Sequence, residues 1–177
     1  MAEITLQDIA HSYNPEAADK TYALNRFDMK WVDGGRYAIL GPSGCGKTTM
    51  LNIMSGIVRP SEGRLLFDGV DVTDHTTADR NIAQVFQFPV IYGTMTVQDN
   101  LAFPLVCRGY DKAFIKAKVA EVSEALNLED LLTQSANKLT ADQKQLISLG
   151  RGLVRDNVAA VLMDEPLTVI DPDLKFR

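Results

Sequence analysis

The nine residues from Gly41 to Thr49 constrain this chain more than any other feature of its sequence. They read Gly-Pro-Ser-Gly-Cys-Gly-Lys-Thr-Thr and fit the pattern G-x-x-x-x-G-K-[ST]. The apolar run 37–40 precedes them and predicts a buried strand, and a helical pattern runs from Lys47 to about Ile57. A strand, a glycine-rich loop and a helix in this order predict a phosphate-binding loop. A chance match in a chain of this length has odds of roughly one in a hundred.

Each residue type in this loop has a physical role in binding a nucleotide. Glycines let the backbone turn so that consecutive N–H groups point inward at an anion, and the positive end of the helix dipole adds to their effect. Lys47 supplies a positive charge for the β and γ phosphates of ATP, and the Thr48 hydroxyl can bind Mg²⁺. The predicted nucleotide contacts in the loop are Gly41, Pro42, Ser43, Gly44, Cys45, Gly46, Lys47, Thr48 and Thr49.

A pair of acidic residues, Asp164 and Glu165, follows the apolar run 158–163. Such a run is typical of a strand buried in a parallel sheet, and ligands of open α/β sheets gather at the carboxyl ends of the strands. Asp164 is therefore predicted to hold Mg²⁺ through water, and Glu165 to orient and polarise an attacking water. Alone, the pair would more simply end a strand at the surface, but the phosphate-binding loop favours the catalytic interpretation.

Composition and charge narrow the range of partners. A length of 177 residues predicts one α/β domain, and a net charge of -5 with no dense Lys/Arg run predicts no nucleic-acid partner. Because no apolar stretch is long enough to span a bilayer and the start lacks the order of a signal peptide, we expect a soluble, cytoplasmic protein with a peripheral membrane role. The two cysteines and two histidines form no metal-ligand pattern.

Hydrophobic periodicity predicts the order of the elements. Alternating apolar residues predict strands over 4–13 and 24–32, and shorter strands are expected at 64–67 and 82–86. Helical spacing recurs between 115 and 126 and between 146 and 153. We therefore predict a nucleotide-binding core over 1–93 and 156–177, with a helical subdomain over 94–155.

With these motifs in place, the whole chain resembles the ATPase subunit of an ABC importer, most closely the subfamily serving sugars and glycerol or glycerol phosphate. The resemblance implies an α/β fold of the P-loop NTPase class, ABC ATPase type, with a mixed β-sheet core and an inserted helical subdomain. Val85-Phe86-Gln87 resembles the Q-loop. In that family the Q-loop glutamine contacts Mg²⁺ and the attacking water and senses the membrane subunit, which implies the same roles for Gln87.

Two further residues are implied only by this resemblance. Tyr13, at the end of the first predicted strand, resembles the aromatic residue on which adenine stacks, although Tyr22 is an alternative. Asp171 resembles the aspartate of the D-loop.

The signature motif of the family is altered in this chain. Where the family carries Leu-Ser-Gly-Gly-Gln, residues 139–143 read Leu-Thr-Ala-Asp-Gln. In the family this motif opens a helix whose N-terminus faces the γ-phosphate bound by the other protomer. Asp142 would place a negative charge near that anion, and Ala141 lacks the conformational freedom of glycine. The alternative is that residues 140–143 form an ordinary helix cap with an acidic first turn.

The chain also stops early relative to the family, which continues past the D-loop with another strand and a switch histidine. Arg177 falls soon after Asp171, so we expect a domain incomplete at its C-terminus and nearly inactive alone, with core faces exposed or differently paired.

The resemblance implies a subunit that binds and hydrolyses ATP with Mg²⁺ at the cytoplasmic face of the cell membrane. It would power import of a small carbohydrate or polyol, such as glycerol or glycerol phosphate. The implied partners are membrane permease subunits and a second ATPase subunit, either in a homodimer or, as the altered signature favours, in a heterodimer with a paralog. Two alternatives stay open: a weakly catalytic half of an asymmetric ABC dimer, and a soluble ABC ATPase unrelated to transport.

Overall fold

The computed structural model describes residues 1–17 and 19–168, which form two compact units. Unit 1 consists of Met1–Ile82 (Ala18 excepted) and Asn157–Leu162. Unit 2 consists of Ala83–Asp156 and, of the described residues, 163–168. Asp171 and the C-terminal Arg177 lie outside the described residues. The predicted division into a core (1–93, 156–177) and a helical subdomain (94–155) stays a prediction.

Unit 1 is built on an antiparallel sheet of four strands in the order β2-β1-β3-β4. The strands are β1 (Ile4–His11), β2 (Leu24–Trp31), β3 (Glu62–Phe67) and β4 (Val70–Asp71). The first two agree with the predicted alternation to within two residues. Burial alternates at the start of β1, where Ile4 and Leu6 are buried and Gln7 is exposed. An irregularity in the pairing register between Leu6 and Ile9 then brings Ile9 into the core as well.

Helix α1 (Lys47–Ser55) covers this core, and the short helix α2 (Thr77–Arg80) fixes its far end. Ile53 and Met54 of α1 are buried. The buried guanidinium of Arg80 donates hydrogen bonds to the carbonyls of Ile53 and Met54, which satisfies acceptors that a helix C-terminus leaves open. The helix that follows the glycine-rich loop is therefore fastened at its C-terminus by a buried cation.

The predicted strand at 37–40 is wrong for this structure. Among the described residues no strand pairing involves this segment, and the Leu40 side chain is 90% exposed. Tyr37 instead turns back onto the end of β2: its ring packs 5.7 Å from that of Trp31, and its hydroxyl accepts a hydrogen bond from the Val32 amide. An apolar run becomes a strand only where a neighbouring strand pairs with its backbone groups.

Unit 2 is mainly helical, with β5 (Ala83–Val85), α3 (Val97–Val106), α4 (Lys112–Ala125) and α5 (Ala141–Leu153). Two 3-10 turns, Glu129–Leu131 and Ala136–Lys138, connect α4 to α5. The core of this unit is formed by apolar side chains from all three helices, among them Leu101, Leu105, Val119, Val122 and Ile147. The predicted helical spacing in 115–126 and 146–153 corresponds to α4 and α5.

Strand β6 (Val161–Met163) passes from unit 1 into unit 2 and ends at the acidic pair. It is shorter than the predicted run 158–163, and Met163 is exposed rather than buried. Directly after it, the Asp164 amide donates a hydrogen bond to the Val85 carbonyl at the end of β5. The ends of these two strands therefore place Asp164 and Glu165 next to the segment that begins with Phe86.

Candidate nucleotide-binding site

The glycine-rich loop in unit 1 ends at Gly46, whose backbone conformation and close surroundings require a glycine. Gly46 precedes α1 with φ 95°, in the left-handed region, and a Cβ atom there would lie 2.7 Å from the Ala23 carbonyl oxygen. No side chain of the described residues caps α1, and its first turn contains no acidic residue. The N-terminus of α1 therefore has no capping side chain and no acidic residue to offset its positive dipole end, which favours an anion there.

Lys47 is the first residue of α1, and its ammonium group is held at the loop. Its Nζ atom donates hydrogen bonds to the carbonyl oxygens of Gly41 (2.8 Å) and Pro42 (3.1 Å). The loop around it is exposed from Gly41 to Cys45, as is the Thr48 side chain. The loop, the helix N-terminus and a positive charge thus meet at one exposed place, which is the arrangement that the sequence motif predicts.

Tyr13 contacts the helix that follows the loop. Its side chain is 64% exposed, and its hydroxyl oxygen lies 3.2 Å from the Thr49 hydroxyl oxygen. The ring packs edge-on against His11, at 4.5 Å between ring centroids. An exposed aromatic face linked to α1 is consistent with the predicted adenine stacking, whereas the hydroxyl of Tyr22 donates a hydrogen bond to Glu62 in a surface cluster.

The acidic pair in unit 2 divides into a buried and an exposed carboxylate. Asp164 is 7% exposed, whereas Glu165 is exposed and has a backbone φ of 45°. The left-handed region is uncommon for a residue with a side chain, and residues held there cluster at functional sites. The two neighbours in sequence therefore have different surroundings, which fits the separate roles predicted for them.

Gln87 contacts Glu165 in unit 2. The Gln87 side-chain nitrogen Nε2 lies 3.4 Å from the Glu165 oxygen Oε2, and the Thr168 hydroxyl lies 3.4 Å from the same oxygen. The Thr168 hydroxyl also donates to the Glu165 backbone carbonyl at 3.0 Å. The structure thus brings together the predicted Q-loop glutamine and the glutamate predicted to orient the attacking water, and adds Thr168, which the sequence analysis did not single out.

The N-terminus of α5, where the altered signature lies, is closed by its own side chains. The Thr140 hydroxyl accepts a hydrogen bond from the Gln143 amide, and the Gln143 side-chain oxygen accepts one from the Thr140 amide. This reciprocal pair is a capping box, and Asp142 lies in the first turn, where a negative charge interacts favourably with the helix dipole. The interpretation of residues 140–143 as an acidic helix cap therefore has direct support.

The loop after Gln87 exposes apolar side chains beside two arginines. Phe88, Val90 and Tyr92 are 69%, 50% and 40% exposed. Arg151 donates a hydrogen bond to the Val90 carbonyl, and its guanidinium lies over the ring of Tyr92. A pocket next to this loop is lined by Phe86, Val90, Pro104, Arg151 and Arg155 together with neighbours on β5 and α5.

Two absences hold for the residues that the structure describes. None of their His, Cys, Asp and Glu side chains group in threes as ligands for a metal ion. None of their helices is both long enough and apolar enough to cross a membrane.

The fold and the glycine-rich loop together define a P-loop nucleotide-binding protein. Comparison with known proteins identifies the family to which it belongs. The model of the ABC transporter family matches residues 24–168. This chain therefore belongs to the ABC transporter family, as the resemblance of its motifs predicted.

Two curated bacterial proteins align with this chain over all of its 177 residues. It is 38% identical to the sn-glycerol-3-phosphate import ATP-binding protein UgpC of Yersinia enterocolitica, of which it covers 48%. It is 40% identical to the trehalose import ATP-binding protein SugC of Mycobacterium tuberculosis, of which it covers 44%. The chain thus spans about half the length of these relatives.

Solved structures confirm the predicted fold class. A dimeric post-hydrolysis state of the ATP-binding cassette MJ0796, bound to ADP and Pi, matches with a TM-score of 0.85 at 25% identity, covering 97% of this chain and 77% of that one. A nucleotide-free ATP-binding cassette from an ABC transporter matches with a TM-score of 0.78 at 27% identity, covering 99% of this chain and 73% of that one.

Proposed function

We propose that this chain is the ATP-binding and hydrolysing part of an ABC importer subunit. The observation that carries the proposal is the N-terminus of α1, which no side chain caps, with the Lys47 ammonium held at the loop by two carbonyls. A triphosphate arriving at this loop offers Lys47 negatively charged acceptors, and the Coulomb attraction makes them stronger partners for the ammonium than neutral carbonyl oxygens are. The adenine stacks on Tyr13, whose exposed ring is tied to Thr49 of the same helix.

The chain also offers suitable ligands for Mg²⁺, the ion that accompanies ATP in this class of reaction. The proposed ligands are the Thr48 hydroxyl, the Gln87 side-chain oxygen and, through water, the buried Asp164 carboxylate. Mg²⁺ bound beside a nucleotide is usually held by one or two protein groups together with phosphates and water. When bound, Mg²⁺ neutralises charge on the phosphates.

Glu165 is the proposed base that orients the attacking water. Its carboxylate is exposed, and its oxygen Oε2 already accepts hydrogen bonds from Gln87 and Thr168. These two donors, each 3.4 Å from the same oxygen, favour one orientation of the carboxylate, and phosphoryl transfer depends mainly on such positioning and on electrostatics.

The proposed membrane partner is a permease subunit that docks on the loop 88–92. The exposed side chains of Phe88, Val90 and Tyr92 suit the apolar face of a partner helix. Arg155 lines the adjoining pocket; burial, with a smaller effect of Arg108, lowers the pKa of Arg155 to about 10, so it stays charged at neutral pH. With Arg151 beside it, the surface favours a partner segment that carries an acidic residue. Docking there would place the subunit at the cytoplasmic face of the membrane.

A second ATPase subunit completes the proposed assembly. The capping box at Thr140 and the charge of Asp142 make the signature of this chain a poor partner for a γ-phosphate. We therefore propose a heterodimer with a paralog that carries the glycine-rich signature, so that the good site combines Lys47, Gln87 and Glu165 of this chain with the signature of the paralog. A homodimer, and a weakly catalytic role in which ATP only holds the subunits together, are the alternatives.

Single-turnover hydrolysis by the natural full-length protein tests this function. Glu165→Gln keeps the size and hydrogen bonding of the side chain but removes the base, so the variant should bind ATP normally and hydrolyse it at least a hundredfold more slowly, about the effect of losing a general base. Asp164→Asn should instead weaken the dependence on Mg²⁺. Unchanged hydrolysis by Glu165→Gln, or equal effects of both changes on ATP affinity, would contradict these roles.

The solute is proposed from the relatives alone, whose names specify sn-glycerol 3-phosphate and trehalose. The test is ATP-dependent uptake into vesicles that contain the permease subunits, with glycerol, glycerol 3-phosphate and trehalose as competing solutes. Uptake of none of them would exclude these solutes, and purification of the full-length protein without membranes would favour the soluble ABC ATPase alternative.

A further inference from the structure

Gln145 on helix α5 links the two segments that carry Gln87 and Glu165. Its side chain is fully buried, and its Nε2 atom donates hydrogen bonds to the backbone carbonyls of Phe86 (3.1 Å) and Pro166 (2.9 Å). Phe86 directly precedes Gln87, and Pro166 directly follows Glu165. A single amide group therefore ties down the backbone beside each member of the catalytic pair.

Helix α5 is a firm support for this link because it packs very closely on β5. A Cβ atom on Gly152 would lie 2.9 Å from the Val85 side chain, so glycine is what allows the helix to approach the strand this far. The same strand ends one residue before Phe86 and accepts the hydrogen bond from the Asp164 amide. Helix, strand and both catalytic segments thus share one packed region of unit 2.

A glutamine at this buried helical position lowers the stability of the fold relative to an apolar residue of similar size. Its side-chain oxygen Oε1 is buried and makes no hydrogen bond to any described residue, and a buried unsatisfied acceptor costs roughly 1–3 kcal/mol. Leucine would fill similar volume without that cost. What glutamine adds over leucine is the pair of hydrogen bonds to Phe86 and Pro166.

We propose that Gln145 is a positioning residue for ATP hydrolysis. It holds the backbone at 86 and 166 so that the Gln87 amide and the Glu165 carboxylate stay in contact, and it supports the left-handed backbone of Glu165. Because α5 begins at the signature residues, Gln145 also connects that helix to the hydrolysis machinery. This inference rests on the proposed function, since it assigns the effect of Gln145 to the hydrolytic step.

The main test is Gln145→Met in the natural full-length protein, because methionine has similar size and no donor. We expect kcat for ATP hydrolysis to fall roughly ten- to hundredfold, the scale that follows from small misplacement of catalytic groups, while KM for ATP changes less than about twofold. Val119→Ala is the matched control: it opens a cavity in the core of the same unit and should lower the melting temperature while leaving kcat unchanged well below that temperature.

Hydrogen exchange provides a readout that does not depend on turnover. Gln145→Met should speed exchange in the peptides 86–88 and 164–168, and Val119→Ala should not. In the Glu165→Gln background, Gln145→Met should cause little further loss of kcat, since both changes disable the same group. If Gln145→Met does not fold, Gln145→Asn, whose amide is one methylene too short to reach both carbonyls, replaces it in every measurement.

Three results would overturn the inference: a fall in kcat no larger than that of Val119→Ala, unchanged exchange at 86–88 and 164–168, or failure of both Gln145 variants to fold. These differ from failure of the proposed function, which would appear as unchanged hydrolysis in Glu165→Gln itself.

Discussion

Two helices of this chain begin with opposite chemistry at their N-termini. Helix α1 follows Gly46, which has no side chain to cap it, and starts with Lys47. Helix α5 follows Thr140, whose hydroxyl closes a capping box with Gln143, and carries Asp142 in its first turn. Both ends carry the positive pole of a helix dipole. At α1 that pole is left for an external anion, whereas at α5 the chain satisfies it with its own groups.

A helix N-terminus is suited to bind an anion when its own chain supplies neither a capping side chain nor a negative charge there. Helix α1 has no capping side chain and no acidic residue in its first turn, and its first residue is Lys47. In α5 a hydroxyl, an amide and a carboxylate occupy the same positions, so an incoming phosphate must displace a hydrogen bond and approach a negative charge. The family resemblance of both segments therefore does not imply equal phosphate binding at both.

The largest effect is expected at α1, from Lys47→Ala. Removing the ammonium takes away a charge-assisted hydrogen bond worth roughly 1.5–3 kcal/mol, so affinity for ATP should fall about ten- to hundredfold. Lys112→Ala is the matched control, since Lys112 is likewise the first residue of a helix, α4. Equilibrium titration with ATP and Mg²⁺ measures both variants; equal affinities for Lys47→Ala and the unchanged protein would refute the role of α1.

A smaller effect is expected when the family glycines are restored in α5. The double variant Ala141→Gly, Asp142→Gly removes a charge worth about 0.3–1 kcal/mol at a helix end, so turnover of a homodimer of the full-length protein should rise roughly two- to fivefold. Paired with a glycine-bearing paralog, the same change should matter less.

Asp130→Gly, which removes an exposed charge from a 3-10 turn of the same unit, serves as the control for net charge. A homodimer that is already fully active, and gains nothing from the glycines, would show that Asp142 is harmless and would remove the case for a heterodimer.

The smallest effect concerns stability alone. Thr140→Ala removes the cap of α5 and should lower the free energy of unfolding by about 1 kcal/mol, the usual cost of losing such a cap. Thr133→Ala, at an exposed threonine, should change it far less. Urea denaturation followed by circular dichroism measures both; a destabilisation equal in the two variants would mean that the capping box contributes nothing.

The sequence predicted the parts of this fold that local patterns determine. The alternation of apolar residues located β1 and β2 to within two residues, and the glycine motif located the start of α1. Both signals depend only on residues that are close together in the sequence. It failed at 37–40, where Tyr37 packs back on Trp31 and strand formation depends on pairing with distant segments. Helix α3 was placed only within a helical region, since Pro104 inside it is normally a signal against helix.

For the candidate site, the sequence proposes residues but not their contacts. Lys47 and Glu165 are proposed from motifs and Gln87 from the family resemblance, whereas the contact of Gln87 with Glu165 joins residues 78 positions apart. Gln145 carried no signal, because a glutamine inside an amphipathic helix usually faces solvent. Only its burial and its two backbone acceptors distinguish it.

The contrast between the two helix ends can be tested most directly by NMR of this chain during titration with ATP and Mg²⁺, following the backbone amide resonances. The account predicts large shifts for the amides of residues 43–49 and none beyond noise for residues 141–143, whose neighbourhood is closed by the capping box. Shifts at 141–143, or the absence of shifts at 43–49, would contradict it.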